Sequence, residues 1–211
     1  MPAGTLSIGV VGHRWNRIER RQERQLAAAI AAFFAMIDTC APKLKKRIAT
    51  GLAEGSDQVA AMAMPADWQL RALLPMPRQA YESHLEVHGT GDPAEAIARL
   101  GLLLSRPGTV LVDPPSQSPE AGYVAIQEGI LDQADLLLAI WDGAGGAGVG
   151  GTNDSIQKAL ARGIPVLWID SDQNRSVALR RVLAASDDGV SAARAADERE
   201  LVEILAETAT D

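Results

Sequence analysis

Apolar residues recur along this chain in two rhythms. Short apolar or β-branched runs of strand length occur at Leu6 to Val11, Arg47 to Thr50, Trp68 to Leu74, Thr109 to Val112, Leu136 to Trp141 and Pro165 to Ile169. Between them the spacing changes to that of a helix with one face on a sheet. Leu26, Ile30, Phe33, Phe34 and Ile37 mark a helix over about Arg17 to Cys40, and Val59, Ala60 and Met62 mark one capped by Ser56. Arg78 to Leu85 and Pro93 to Leu104 carry the same periodicity. So do Tyr123, Ile126, Ile130, Leu131 and Ala134, and then Ile156, Ala159 and Leu160. Strands alternating with helices predict an α/β fold with a doubly wound, mostly parallel sheet and helices on both faces. The chain beyond Asp170 breaks the alternation. Arg175 to Ala184 and Glu198 to Ala206 read as amphipathic helices separated by the small, polar stretch Ala185 to Asp197, so residues 173–211 are expected to form a helical extension packed on the domain of residues 1–172.

Composition narrows the setting. A chain of 211 residues with 47% hydrophobic content fits one sizeable core. A net charge of -7 disfavours non-specific nucleic-acid binding, and the basic cluster Lys43, Lys45, Lys46, Arg47 reads as a solvated strand entrance. Cys40 is the only cysteine, so neither an internal disulfide nor a cysteine-based zinc site is available. No apolar run approaches the length of a membrane span and no secretory signal pattern opens the chain. The expectation is a soluble cytoplasmic protein without a membrane partner, metal or cofactor.

The densest chemistry follows Trp141. Gly143, Gly145, Gly146, Gly148, Gly150 and Gly151 lie between Asp142 and Thr152, joining a buried strand to a helix. Glycines let the backbone approach a ligand closely, and a helix start capped by Thr152 offers free N–H donors and a positive dipole end to an anion. The loop is not a Walker A motif, because Gly151 is followed by Thr152 and Asn153 rather than Lys and Ser or Thr. It is not a dinucleotide fingerprint either, because it follows a late strand. A flexible linker is the alternative, and the tight strand and helix flanks argue against it.

Two other loops leave strand ends on the same edge of such a sheet, where α/β folds bind ligands. Gly12, His13 and Arg14 follow the first strand; Thr50 to Ser56 follow the second. Arg14 suits bidentate recognition of a phosphate or ribose, or opens a charged helix at the surface. His13 reads as a structural loop residue. Glu54 and Asp57 flank a helix start, where acidic side chains complement the dipole or recognise ribose hydroxyls. Asp142 is either a turn residue or a ribose contact or base. Trp68, Trp141 and Trp168 fall in or beside strands and read as core, while Trp15 packs or stacks on a base.

The segments ATGLAEGSDQVAA, WQLRALLPMP, ADLLLAIWDG and GVGGTNDSIQKA, taken together, resemble the SLOG superfamily of Rossmann-like nucleotide-binding proteins. That superfamily includes the LOG phosphoribohydrolases, the DprA proteins and sensor domains for ADP-ribose derivatives. The likeness spans Leu6 to Asp170. It implies a nucleotide or nucleotide derivative held by Gly12, His13, Arg14, Gly51, Leu52, Ala53, Glu54, Gly55, Asp142, Gly143, Gly148, Gly150, Gly151 and Thr152, with phosphates at the last three. LOG enzymes carry a glutamate three residues after the loop threonine; here that residue is Ser155, and Asp154 is turned away from it by about 100° of helix. The emphasis therefore falls on a stand-alone binding or sensor domain, with a homodimer or an effector protein as partner. An N-glycosidase of nucleotides using Glu54, Asp142 or Asp154 is the alternative, and an interaction module with a decayed ligand site is a third.

Overall fold

The computed structural model describes residues 4–112, 119–146, 148, 150–172 and 178–208. Its strands are β1 (Thr5–Gly12), β2 (Lys45–Thr50), β3 (Gln69–Leu73), β4 (Val110–Val112), β5 (Leu136–Trp141), β6 (Val166–Asp170), β7 (Leu179–Ser186) and β8 (Gly189–Ala195). The helices are α1 (Glu23–Cys40), α2 (Ser56–Ala63), α3 (Arg78–His88), α4 (Pro93–Ser105), α5 (Pro119–Leu131), α6 (Thr152–Ala161) and α7 (Glu198–Thr208). The strands form one sheet in the order β4-β3-β2-β1-β5-β6-β7-β8. The first six in that order are parallel, and β7 and β8 add an antiparallel hairpin to the edge at β6. The fold is thus Rossmann-like α/β, as the alternation predicts.

β5 shows why a wholly apolar run makes the central strand. Leu136, Leu138 and Ile140 enter the core under α1, α2, α4 and α7, whereas Leu137, Ala139 and Trp141 enter the core under α5 and α6. Side chains alternate across the sheet, so a strand covered on both faces needs apolar residues at every position. In α1, Leu26, Ile30, Phe33, Phe34 and Ile37 are all buried, and Phe34 packs on Trp68 with ring centroids 4.9 Å apart. Asp92 caps α4 by accepting from the N–H groups of Ala94 (2.9 Å) and Glu95 (3.4 Å), with Pro93 at the first helical position.

The structure corrects several expectations. The tail is not helical over Arg175 to Ala184: residues 179–186 are β7, residues 189–195 are β8, and residues 173–177 lie outside the described set. The open edge of β6 captures this segment, pairing Val166 with Val182 and Ile169 with Leu179, and that pairing overrides the helix preference of its Leu, Arg and Ala residues. The second tail helix is α7, which buries Leu201 and Ile204 beside α1. The helix expected from Arg17 begins as a 3-10 turn at Arg20–Gln22 and becomes regular at Glu23. Ala134 lies beyond the end of α5. Ser56 and Thr152 are first helical residues rather than caps, each preceded by a glycine in the cap position. No helix among the described residues is long and apolar enough to cross a membrane. After the strand at Thr109 to Val112 the sequence reads as a loop from Pro114 to Pro119, which falls largely outside the described residues.

Candidate functional site

The sheet order reverses between β1 and β5. β1 connects toward β2 on one side and β5 toward β6 on the other, so their following helices diverge and leave a crevice at the carboxyl ends of the strands. A cleft of about 240 Å³ opens there. Gly12, His13 and Arg14 come to it from the end of β1, Gly51, Ala53 and Asp57 from the end of β2 and the start of α2, and Tyr81 from α3. Tyr123 and Gln127 come from α5, and Gly150, Gly151, Thr152 and Ser155 from the start of α6.

The first two loops are locked together by the backbone. The His13 N–H donates to Ile140 O (3.0 Å), and His13 O accepts from the N–H (3.0 Å) and the hydroxyl (2.8 Å) of Ser56. Gly55 has φ +97°, and a Cβ there would lie 2.7 Å from His13 O. Only glycine permits the two loops to touch in this way. Leu52 is left-handed at φ +52° with its side chain fully buried, so a core contact holds the turn against its backbone preference.

Glu54 is a structural anchor rather than a cleft-facing group. It has no exposed surface and accepts from Arg14 Nε (3.1 Å) and Nη2 (2.6 Å), from the N–H and the hydroxyl (2.9 Å) of Thr90, and from the N–H of Gly91 (3.0 Å). Burial alone would raise its pKa; the hydrogen bonds from Thr90, Arg14 and Gly91 outweigh that and hold the carboxyl below its ordinary range. Arg14 Nη2 also donates to His88 O (2.9 Å), while its Nη1 has no acceptor among the described residues. Arg14 is therefore held by Glu54, and its side chain lines the cleft.

Asp142 is also committed. Its Oδ2 accepts from Arg17 Nη2 (2.5 Å), its Oδ1 accepts from the Ala144 N–H (3.0 Å), and His13 Nε2 lies 2.9 Å from Oδ1. Burial opposes the charged form, but His13, the Ala144 amide and Arg17 bring its pKa down to about 2. Asp142 lines a neighbouring groove with Trp15, Thr90 and Ser171, on the far side of residues 16 and 17. Trp15 packs beneath the Arg20 guanidinium, 4.2 Å from its ring centroid.

The start of α6 is braced from behind and open in front. Asp154 accepts from the Gly150 N–H (2.9 Å), Gln127 Nε2 (3.0 Å) and Lys158 Nζ (3.1 Å), which outweigh burial and lower its pKa. Gln127 also donates to Ser155 Oγ (2.7 Å), and Ser155 donates to Gly151 O (3.1 Å). The amides of Thr152, Asn153 and Asp154 have no acceptor among the described residues, as at the first turn of any α-helix, and they carry the positive end of its dipole. The earlier part of the loop does something else: the Gly145 N–H donates to Asp188 O and the Val190 N–H to Gly143 O, both at 3.0 Å, tying it to the β7-β8 turn.

Asp57, which with Glu54 reads from sequence as either a helix-dipole partner or a ribose contact, is the member of that pair that reaches the cleft. It is the one acidic side chain among the described residues lining the cleft. Burial pushes its pKa up to about 7, against the opposing influence of Thr50, the amides of Ala53 and Gly51, and Arg14. Tyr81 and Tyr123 form the facing aromatic wall with His84 between them, at ring distances of 6.4 and 5.9 Å. Burial raises both phenol pKa values. Tyr81 and Tyr123 carried no sequence signal beyond helical periodicity.

Of the expected ligand residues, Gly12, His13, Arg14, Gly51, Ala53, Gly150, Gly151 and Thr152 reach the cleft. Leu52, Glu54, Gly55, Asp142, Gly143 and Gly148 do not line it, nor does Asp154, so none of the three expected catalytic carboxylates faces the space a ligand would fill. Among the described residues no group of three or more His, Cys, Asp or Glu is placed to hold a metal ion. No protein-family model and no curated protein sequence matches the chain.

Proposed function

We propose that the cleft binds a nucleotide or nucleotide derivative with its phosphate against the start of α6, and that the chain is a SLOG-type binding or sensor domain. The observation that carries this reading is the juxtaposition of the open amides at Thr152 to Asp154 with Arg14, which Glu54 fixes on the same cleft. An oriented guanidinium and a helix start supply complementary charge to an anion, and the aromatic wall of Tyr81 and Tyr123 offers apolar area to a sugar or base. Glu54, Asp142 and Asp154 each satisfy basic or amide groups of the protein itself, which favours binding over N-glycosidic cleavage by any of them. A second copy of the chain or a cytoplasmic effector protein would read the bound state.

Calorimetry with AMP, ADP, ADP-ribose and cyclic ADP-ribose tests the proposal. At least one is expected to bind, and Arg14→Ala is expected to weaken it about tenfold, or about 1.4 kcal/mol. No binding by any of the four overturns the nucleotide reading. Release of free base from a nucleoside monophosphate above the spontaneous rate overturns the restriction to binding.

A further inference from the structure

Asp57 stands apart from every other carboxylate near the cleft. Glu54 is matched by Arg14, Asp142 by Arg17, and Asp154 by Lys158. Asp57 has no cationic nitrogen within 4 Å among the described residues, although it is 93% buried by its 7% exposure. Its Oδ2 accepts a long hydrogen bond from the Ala53 N–H at 3.4 Å, and Thr50 and the Gly51 amide also favour its charged form without outweighing burial. The groups facing it come from several elements: Thr50, Gly51 and Ala53 from its own loop, Arg14 from the end of β1, Tyr81 from α3 and Tyr123 from α5, with Glu54 adding negative charge nearby. Arg14 is the one cation in that set, and its ion pair is with Glu54 rather than Asp57.

We infer that Asp57 hydrogen-bonds the bound nucleotide derivative directly, and that it takes up a proton when an anionic ligand enters. The inference rests on the nucleotide reading of the cleft. A carboxyl without a cationic partner at the wall of a cleft is poorly solvated when ionised, and a phosphate entering the same cleft makes ionisation costlier still. The protonated acid instead donates to a ligand oxygen or ring nitrogen, a contact that an ionised carboxylate cannot make. Asp57 thereby discriminates between ligands that present an acceptor to it and ligands that present only donors.

Two measurements test this. In ¹³C-carboxyl NMR of the ligand-free protein, Asp57 is expected to titrate near pH 7 and to move upward when AMP is added. A midpoint below pH 5, or one that AMP does not move while AMP binds, overturns the inference. Calorimetry of AMP binding at pH 7, in buffers of different ionisation enthalpy, compares wild type with Asp57→Asn, which retains an acceptor for the Ala53 amide. Wild type is expected to take up as much as about half a proton more per AMP than the variant, since a group titrating near 7 is half protonated there. The phosphate's own ionisation cancels in the difference. Equal proton uptake overturns the role of Asp57 and leaves the nucleotide reading standing. An ordinary Asp57 titration overturns the inference whatever AMP does, whereas an NMR midpoint near 7 with AMP bound by neither protein supports the unpaired acid and counts against the nucleotide reading.

Discussion

Glu54→Ala tests whether the most buried carboxylate of the site is an anchor or a reagent. The side chain has no exposed surface, and its removal strands five donor contacts, two from Arg14, two from Thr90 and one from Gly91. Breaking a buried ion pair from one side costs about 3–5 kcal/mol. Arg14 keeps 31% of its side chain exposed, so water partly rehydrates it and the lower end, about 3 kcal/mol, applies. At about 2–4 °C per kcal/mol for a chain of this size, the melting temperature should fall by roughly 6–12 °C. Scanning calorimetry at pH 7 measures it, with Glu54→Gln expected between the two because its amide oxygen still accepts from Thr90. The acid dependence has a fixed sign. Because the folded pKa lies below the unfolded value, the stabilisation is present above about pH 4 and is lost as pH falls through the folded pKa, so wild type and variant should converge in acid. A loss under about 2 °C, or a gap that widens in acid, refutes the anchor. A reagent predicts the opposite pattern, since removing a strained functional carboxylate leaves stability unchanged or raises it.

Three further perturbations address the rest of the site. Gly55→Ala forces a Cβ to within 2.7 Å of His13 O at φ +97°, and should cost about 3 kcal/mol by urea denaturation; a loss below about 1 kcal/mol refutes the loop contact. Asp142→Asn should flatten the acid limb of stability. Its folded pKa of about 2 lies below the ordinary aspartate value, so it stabilises above about pH 4 by as much as about 2 kcal/mol and ceases to do so as pH falls through 2; an unchanged limb in urea titrations refutes the pairing with His13 and Arg17. Thr152→Glu places a carboxylate at a buried position on the cleft at the open amides of α6 and should weaken AMP binding at least about tenfold in calorimetry, whereas unchanged affinity removes the phosphate from that position.

Much of this architecture is local and was therefore legible. Six consecutive apolar residues can only be a strand buried on both faces or a helix segment, and the glycines after Trp141 settle which. The β7-β8 hairpin was not legible in the same way, because Leu179 to Ala185 is built of helix formers and Val182 is its one buried residue. Its local signal was the turn, Asp187-Asp188-Gly189 with Gly189 at φ +120°, which reads as a hairpin only once strands flank it. The carboxylates failed for a different reason. Glu54 finds Arg14 40 residues away and Asp142 finds Arg17 125 residues away, so the loops that carry them could be named but their partners could not. Asp57, three residues beyond Glu54, turns toward the cleft because it belongs to the first turn of α2 while Glu54 precedes it.

The glycine loop meets the β7-β8 hairpin with one part and the cleft with another. Six glycines suggested a ligand cradle along its whole length, yet a side chain at Gly145 would collide with the carbonyl of Asp187 in the β7-β8 turn. That part of the loop is thin because a hairpin lies against it, not because a phosphate does. Asn153 Nδ2 donates to Ser186 O at 3.0 Å, so the same hairpin also holds the first turn of α6. Of the loop glycines among the described residues, Gly150 and Gly151 reach the cleft, where Asp154 fixes the Gly150 amide from behind. The β7-β8 hairpin is therefore part of the site's foundation, since it holds the rear of the loop whose front lines the cleft.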